Sequence, residues 1–106
     1  MIFIRLTPTP DGQSLSGFEV KGHAGFAPHG QDIVCAAVSF LATTCTNALE
    51  SIAGIVPKVR QKDGFLAVHV RPEELNDQAA TIFQVFSQGM RDLMDAYPDH
   101  VTLTTK

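Results

Sequence analysis

The sequence lacks the features that mark membrane, secreted and nucleic-acid-binding proteins. Eight Lys and Arg residues stand against eleven Asp and Glu, a formal net charge of −3, so no basic excess predicts binding to nucleic acid. No uninterrupted apolar run approaches the roughly 20 residues that cross a bilayer. Met1 leads into IFIRLT and a proline-containing turn, which is not a secretory signal. We therefore expect a cytoplasmic protein with no direct nucleic acid partner and no membrane contact.

Cysteine is also scarce, with Cys35 and Cys45 the only two. On one straight helix their separation corresponds to about 15 Å of rise. The Cα atoms of a disulfide lie only about 4.4–6.8 Å apart, so on such a helix Cys35 and Cys45 are too far apart to form one. Two unpaired thiols agree with a reducing compartment.

The composition is that of a folded domain, since 44% of the residues are hydrophobic and 18% are charged. We expect a single domain over residues 1–106. Its periodicity predicts the order ββαββαβ, an α/β (α+β) fold with two helices on one face of a mixed sheet of about five strands. The strands are expected at 2–7, 18–21, 56–62, 65–70 and 101–105. Asp63-Gly64 predicts a hairpin turn between the third and fourth strands.

Two apolar stripes with helical spacing separate these strands. The first helix is expected to start after Asp32, with Gly54 as its stop, and to bury Val34, Val38, Leu41, Cys45, Ala48 and Ile52. The second is expected to open at Pro72, to end before Pro98, and to bury Leu75, Ala79, Ile82, Phe86, Met90 and Leu93.

The segment GHAGFAPHGQDIVCAAVS, from Gly22 to Ser39, concentrates the reactive side chains. With Asp32 as the N-cap, Cys35 falls in the first turn, where free N–H groups and the helix dipole stabilise a thiolate. His23 lies across a short loop and is placed to return to Cys35 as its base. The N–H groups of the first turn are candidate donors to an oxyanion.

Each of these residues also has a structural interpretation. Cys35 could be a small core residue, because free cysteine is often buried, and mid-helix Cys45 is predicted to be core. His29 is expected to be a solvated loop residue, with substrate contact or a second base as alternatives. His69 and His100 are expected to be structural. A metal site of His23, His29 and Cys35 is disfavoured because it lacks the paired spacing of zinc sites.

Supporting roles are expected for the polar and glycine residues of the segment. Asp32 is expected to cap the helix, and also to orient His23 or contact substrate. Ser39, one turn after Cys35, either lines the site or bonds back to the carbonyl of residue 35. Gly22, Gly25 and Gly30 permit unusual backbone angles, so the loop between base and nucleophile is a candidate lid.

The whole segment resembles the signature of the ribosomal-processing cysteine protease family, Prp, and TNALE at 46–50 also fits. The resemblance implies a dimeric, cytoplasmic bacterial endopeptidase that needs neither cofactor nor metal. Its substrate would be the short N-terminal extension of large-subunit ribosomal protein twenty-seven, cut after an aromatic residue. Cys35 would be the nucleophile and His23 the base, with Asp32 and Ser39 supporting the site or touching substrate, and the glycine-bounded loop moving.

Three rival functions are set against this one. The negative net charge and the lack of RNA-binding motifs argue against a non-catalytic ribosome- or RNA-associated module. A thiol redox protein would need a resolving partner for Cys35, and Cys45 is too distant. A pseudoenzyme that binds without cutting is opposed by the intact Cys–His pair. Labelling of Cys35 by an electrophilic peptide separates catalysis from binding alone.

Overall fold

The computed structural model describes all residues from Met1 to Lys106 and confirms the order ββαββαβ. The strands are β1 Ile2–Pro8, β2 Leu15–Gly22, β3 Lys58–Lys62, β4 Phe65–His69 and β5 Val101–Thr105. The helices are α1 Ile33–Ser51 and α2 Asp77–Ala96, and a short 3-10 helix spans Pro72–Glu74.

The five strands form one mixed sheet in the order β3-β4-β2-β1-β5. Only β1 and β5 pair in parallel, and the other three neighbouring pairs are antiparallel. Because the side chains of a strand alternate between faces, β1 sends Ile2, Ile4 and Leu6 into the core and leaves Phe3 and Arg5 exposed. The sheet therefore has an inner face under the helices and an outer face that no element covers.

The core between sheet and helices is built around Phe18 of β2. Its ring stacks on Phe86 with centroids 3.8 Å apart and meets Phe83 edge-on at 6.2 Å. All three rings are almost fully buried, and aromatic side chains contribute more buried area than any others. This contact fixes α2 against the middle of the sheet.

The buried stripe of α1 differs in part from the expected one. It consists of Val34, Val38, Ala42, Cys45 and Leu49. Leu41 and Ala48 are only partly buried, and Ile52 is 59% exposed. Ile52 is the C-cap, one residue past the end of the helix at Ser51, and its N–H still donates to the carbonyl of Ala48. Gly54 follows with a φ of 71°.

The prediction that Pro72 opens the second helix is wrong. Leu75 takes an extended conformation with ψ of 134° and separates the 3-10 helix from α2. The α-helix begins after Asn76, whose Oδ1 accepts the N–H of Ala79 at 2.9 Å. The Nδ2 of Asn76 donates to the carbonyl of Ala53 at 2.9 Å and so ties α2 to the segment after α1.

Helix α1 is long and apolar enough to cross a membrane by length and composition alone, contrary to the expectation that no segment would be. One such helix is weak evidence for a membrane protein, since a core helix passes the same test. Here α1 carries no charged residue before Glu50 and contributes five side chains to the core.

Candidate active site

An open groove of about 690 Å³ lies between α1, the loop before it and the β3–β4 hairpin. Every residue that the sequence singled out as catalytic, supporting or part of the lid lines this groove, and His29 lines it as well. The set is Gly22, His23, Gly25, Gly30, Asp32, Cys35 and Ser39. Residues from β2, the loop and two turns of α1 thus face one space.

Asp32 joins the loop to the helix. Its Oδ1 accepts the N–H groups of Val34 at 3.0 Å and Cys35 at 2.9 Å, as the expected N-cap does. Its Oδ2 accepts the N–H groups of Phe26 at 3.0 Å and Ala27 at 3.3 Å. These bonds, that from Cys35 first, lower the pKa of Asp32 against a smaller opposing effect of burial. The carboxylate therefore fixes both the start of α1 and the loop over it.

The same bonds narrow one expectation. Of the first-turn N–H groups that are candidate donors to an oxyanion, those of Val34 and Cys35 are occupied by Asp32. An N-cap carboxylate and an oxyanion compete for the same unpaired donors of the first turn.

Cys35 is half-buried, and its Sγ accepts a hydrogen bond from the N–H of Ala24 at 3.3 Å. Ala24 is itself fixed, because Nδ1 of His100 donates to its carbonyl at 2.9 Å. His100 was expected to be structural, and it positions the backbone next to the sulfur. His100 and Ala24 are 76 residues apart in the sequence, so only the folded chain brings them together.

His23 directly follows β2 and is exposed at the edge of the groove. The preceding Gly22 has a φ of +96°, and its N–H donates to the carbonyl of Gly64 at 2.9 Å. The imidazole lies against the hairpin, so that a Cβ on Gly64 would be 3.2 Å from Nε2 of His23. No hydrogen bond joins His23 to Cys35 in this arrangement. The two share the groove, and the ring must turn toward the sulfur to act on it.

The wall of the groove opposite α1 was missed from the sequence. It comprises Gln61, Lys62, Asp63, Gly64, Phe65 and Leu66 of the β3–β4 hairpin. Asp63-Gly64 correctly predicted the turn, but nothing in the local sequence placed the turn beside His23. That placement follows from the pairing of β4 with β2, in which Phe65 lies opposite Lys21.

An aromatic cluster holds the loop from the other side. The ring of Phe26 meets Tyr97 and His100 edge-on, with both centroid distances 5.4 Å. Such pairs contribute about 0.5–1.5 kcal/mol beyond their buried area. Phe26 therefore fastens the loop to the segment that joins α2 to β5.

The remaining thiol, Cys45, and the imidazoles of His69 and His29 lie in three different environments. Cys45 is buried in the core as predicted, and burial raises the pKa of its thiol to about 11. His69 lies in β4 against Gly17, outside the groove. His29 is exposed. No three His, Cys, Asp or Glu side chains come together in a group that could hold a metal ion.

Known proteins share this sequence and fold. The family described as "Cysteine protease Prp" matches residues 1–102. The ribosomal processing cysteine protease Prp of Bacillus subtilis (strain 168) is 34% identical over 98 residues, 88% of each chain. The ribosomal processing protease Prp of S. aureus, solved with a covalently linked product peptide, superposes with a TM-score of 0.92 at 25% identity over all of both chains. SMU.848 of Streptococcus mutans superposes with a TM-score of 0.85 at 29% identity, over 99% and 96% of the two chains.

The fold and these relatives define a cysteine protease. The chain belongs to the Prp family, as the resemblance of residues 22–39 indicated.

Replacement of Gly64 by Ala tests the contact with His23. Gly64 and Gly12 have φ values of 69° and 72°, but a Cβ on Gly12 meets nothing within 4 Å. Both Ala variants carry the same backbone strain, about 1–2 kcal/mol. We expect equal losses of thermal stability but a roughly tenfold loss of kcat/KM only in Gly64→Ala, because a displaced catalytic group is costly. Equal activities of Gly64→Ala and Gly12→Ala would show that the position of His23 does not depend on the hairpin.

Replacement of Asp32 by Asn tests the double role of its carboxylate. The amide keeps one acceptor for the helix start but cannot accept from the loop. The folded pKa of Asp32 is depressed, so its stabilisation is complete above the unfolded value of about 3.9 and is lost as pH falls through the folded value. We expect the Tm advantage of the wild type over Asp32→Asn to shrink below about pH 4.

Asp11→Asn is the matched control. The hydroxyl of Thr9 holds the pKa of Asp11 low in the turn after β1, outside the groove. The Tm advantage of the wild type over Asp11→Asn should shrink over the same acid range. Asp11→Asn should keep peptidase activity at neutral pH, whereas Asp32→Asn loses it. Full activity of Asp32→Asn would show that the loop needs no carboxylate.

Proposed function

We propose that this protease removes the short N-terminal extension of large-subunit ribosomal protein twenty-seven, cutting after an aromatic residue. The supporting observation is that Cys35 and His23 open into one groove, with a backbone donor on the sulfur of Cys35. The Bacillus subtilis relative carries ribosomal processing in its name, and the S. aureus relative was solved with a covalently linked product peptide. A cytoplasmic location, where ribosomal proteins are made, belongs to the same proposal.

The groove has the shape and chemistry that such a peptide requires. It is open to solvent, so that a peptide segment can enter it. Its floor between α1 and the sheet is apolar, formed by Val20, Val38, Ala42 and Leu66. Apolar walls suit the aromatic side chain that precedes the cut, since burying an aromatic ring is strongly favourable.

Hydrolysis of the peptide bond uses the imidazole of His23 and the thiol of Cys35. His23 takes the proton of the Cys35 thiol, and the sulfur forms a bond to the scissile carbonyl carbon. The tetrahedral intermediate collapses as the C–N bond breaks, and His23 gives its proton to the leaving amine. Water, deprotonated by His23, then attacks the thioester, and the C–S bond breaks to release the acid and the thiol. Asp32 acts by holding the loop and the start of α1, and Ser39 lines the groove one turn away.

The test is cleavage of a peptide that carries the extension of the host's own ribosomal protein, followed by mass spectrometry. Wild type should give one cut after an aromatic residue. Cys35→Ala should give none, and His23→Ala should be slower by about 10²-fold or more. Cys45→Ala and His29→Ala, which change another thiol and another imidazole, should still cut.

Other results would contradict specific parts of the proposal. Equal cutting by Cys35→Ala would remove that residue as the nucleophile. Loss of activity in His29→Ala but not in His23→Ala would make His29 the base. Binding of the peptide by the wild type without any cut would favour a non-catalytic ribosome-associated module.

We further propose that the protein is a homodimer that pairs through the exposed face of α1. Ile33 and Phe40 on this face are 57% and 73% exposed, and Ala36 and Ala37 lie between them. A face without charge on a long helix is costly to leave in water and is typical of an interface between subunits.

Phe40→Glu tests this interface. In sedimentation equilibrium the wild type should have twice the 11.5 kDa mass of the chain, and Phe40→Glu should be a monomer, because burying an unpaired carboxylate opposes association. Val85→Glu, at a 53% exposed position of α2, should stay dimeric. A monomeric wild type would exclude the dimer, and a dimeric Phe40→Glu would place the interface elsewhere.

A further inference from the structure

The outer face of the sheet carries most of the positive charge of the protein. Cross-strand partners share a face, so the registers place five of the eight Lys and Arg residues there. They are Arg5, Lys21, Lys58, Arg60 and Lys62. Among the strand residues of this face Glu19 is the only acid, and it is paired with Arg5. A chain of net charge −3 thus presents one basic surface.

Two phenylalanines alternate with cations in one row across this face, and the row begins at Lys62 and Phe65, which also border the groove. The registers align Lys62 with Phe65, Phe65 with Lys21, and Lys21 with Phe3. Strands lie about 4.8 Å apart, so the two rings are separated by about 10 Å with a lysine between them. Phe3 is 55% exposed, and no helix covers it.

The cations of this face lie close to the ring of Phe65 and to the imidazole of His69. Arg60 and Lys62 lie over the ring of Phe65, 5.6 and 5.7 Å from its centroid. The pKa of His69, in the same β4 strand, is lowered by burial first and then by Arg5, Arg60 and Lys58. The face therefore has a positive potential that its single acid does not neutralise.

We propose that the outer face of the sheet binds single-stranded RNA, through the row Lys62, Phe65, Lys21, Phe3 and the neighbouring Arg60 and Lys58. The exposed ring of Phe3 can stack with an unpaired base, and the cations beside it neutralise phosphates. The ring of Phe65 is half-buried and holds Arg60 and Lys62 over its face. A second copy of the chain would bring like charges together and does not fit this face. The choice of RNA over DNA rests on the proposed function, because a ribosomal protein substrate is found beside RNA.

This proposal changes the expectation drawn from composition. The net charge counts all residues together, whereas binding depends on where the charges lie. Asp77, Asp92 and Asp95 lie on α2, on the opposite side of the sheet. The net negative charge of the whole chain therefore does not apply to the outer face of the sheet.

The test measures fluorescence anisotropy of a labelled 12-nucleotide single-stranded RNA with the full chain. Lys21→Ala with Arg60→Ala should weaken binding about tenfold at low salt. It should also reduce the slope of log K against log salt by about 1.4, at about 0.7 per phosphate. Arg71→Ala with Arg91→Ala removes the same charge outside the sheet and should bind as the wild type does. Phe3→Ala should weaken binding about tenfold without changing the salt slope.

The assay needs no proteolysis, so it is independent of the proposed cleavage. All substituted positions are exposed and lie outside the groove, and melting curves check that each variant folds. No binding by the wild type, or equal losses in the two charge pairs, would overturn the proposal. Binding of single-stranded DNA as tight as that of RNA would also overturn it. So would binding of heparin that does not depend on Phe3, or binding of phosphatidylglycerol vesicles without binding of RNA. A change of sedimentation mass in Lys21→Ala with Arg60→Ala would instead identify the face as an interface between copies.

Discussion

The Asp32 carboxylate accepts four backbone N–H groups, two in the first turn of α1 and two in the loop before it. The groove exists because these two segments are held together at its mouth. Each oxygen serves one segment, so a neutral amide cannot replace the group. Capping a helix and shaping a binding site are usually separate tasks. Here the same charge performs both, and it does so three residues before Cys35.

A second support reaches the sulfur from the far end of the chain. His100 holds the carbonyl of Ala24, and the N–H of the same residue points at Sγ of Cys35. The peptide units on either side of Ala24 therefore cannot turn without breaking one of the two bonds. Phe26 adds an apolar contact to the same region through Tyr97 and His100. The nucleophile is thus oriented by backbone that is itself fixed on two sides.

The sequence predicted what depends on neighbours along the chain. The cap at Asp32, the turn at Asp63-Gly64 and the order of elements all arise from local spacing, and the structure has them. It did not predict what depends on the order of strands in the sheet. The hairpin beside His23, the anchor at His100 and the basic outer face each need β2 to lie between β4 and β1. The family resemblance identified the protease, but it carried no information on these long-range contacts.

The parallel pairing of β1 with β5 has a consequence for biosynthesis. β1 is made first and β5 is the last element, yet they are neighbours in the sheet. The loop between them must close before their contacts form, and such pairings fold slowly. Because His100 directly precedes β5, the anchor of Ala24 also forms only after the 76 residues that follow Ala24, up to His100, have been added to the chain. A nascent chain thus contains its whole Gly22–Ser39 motif before the residue that anchors the backbone beside Cys35 has been added.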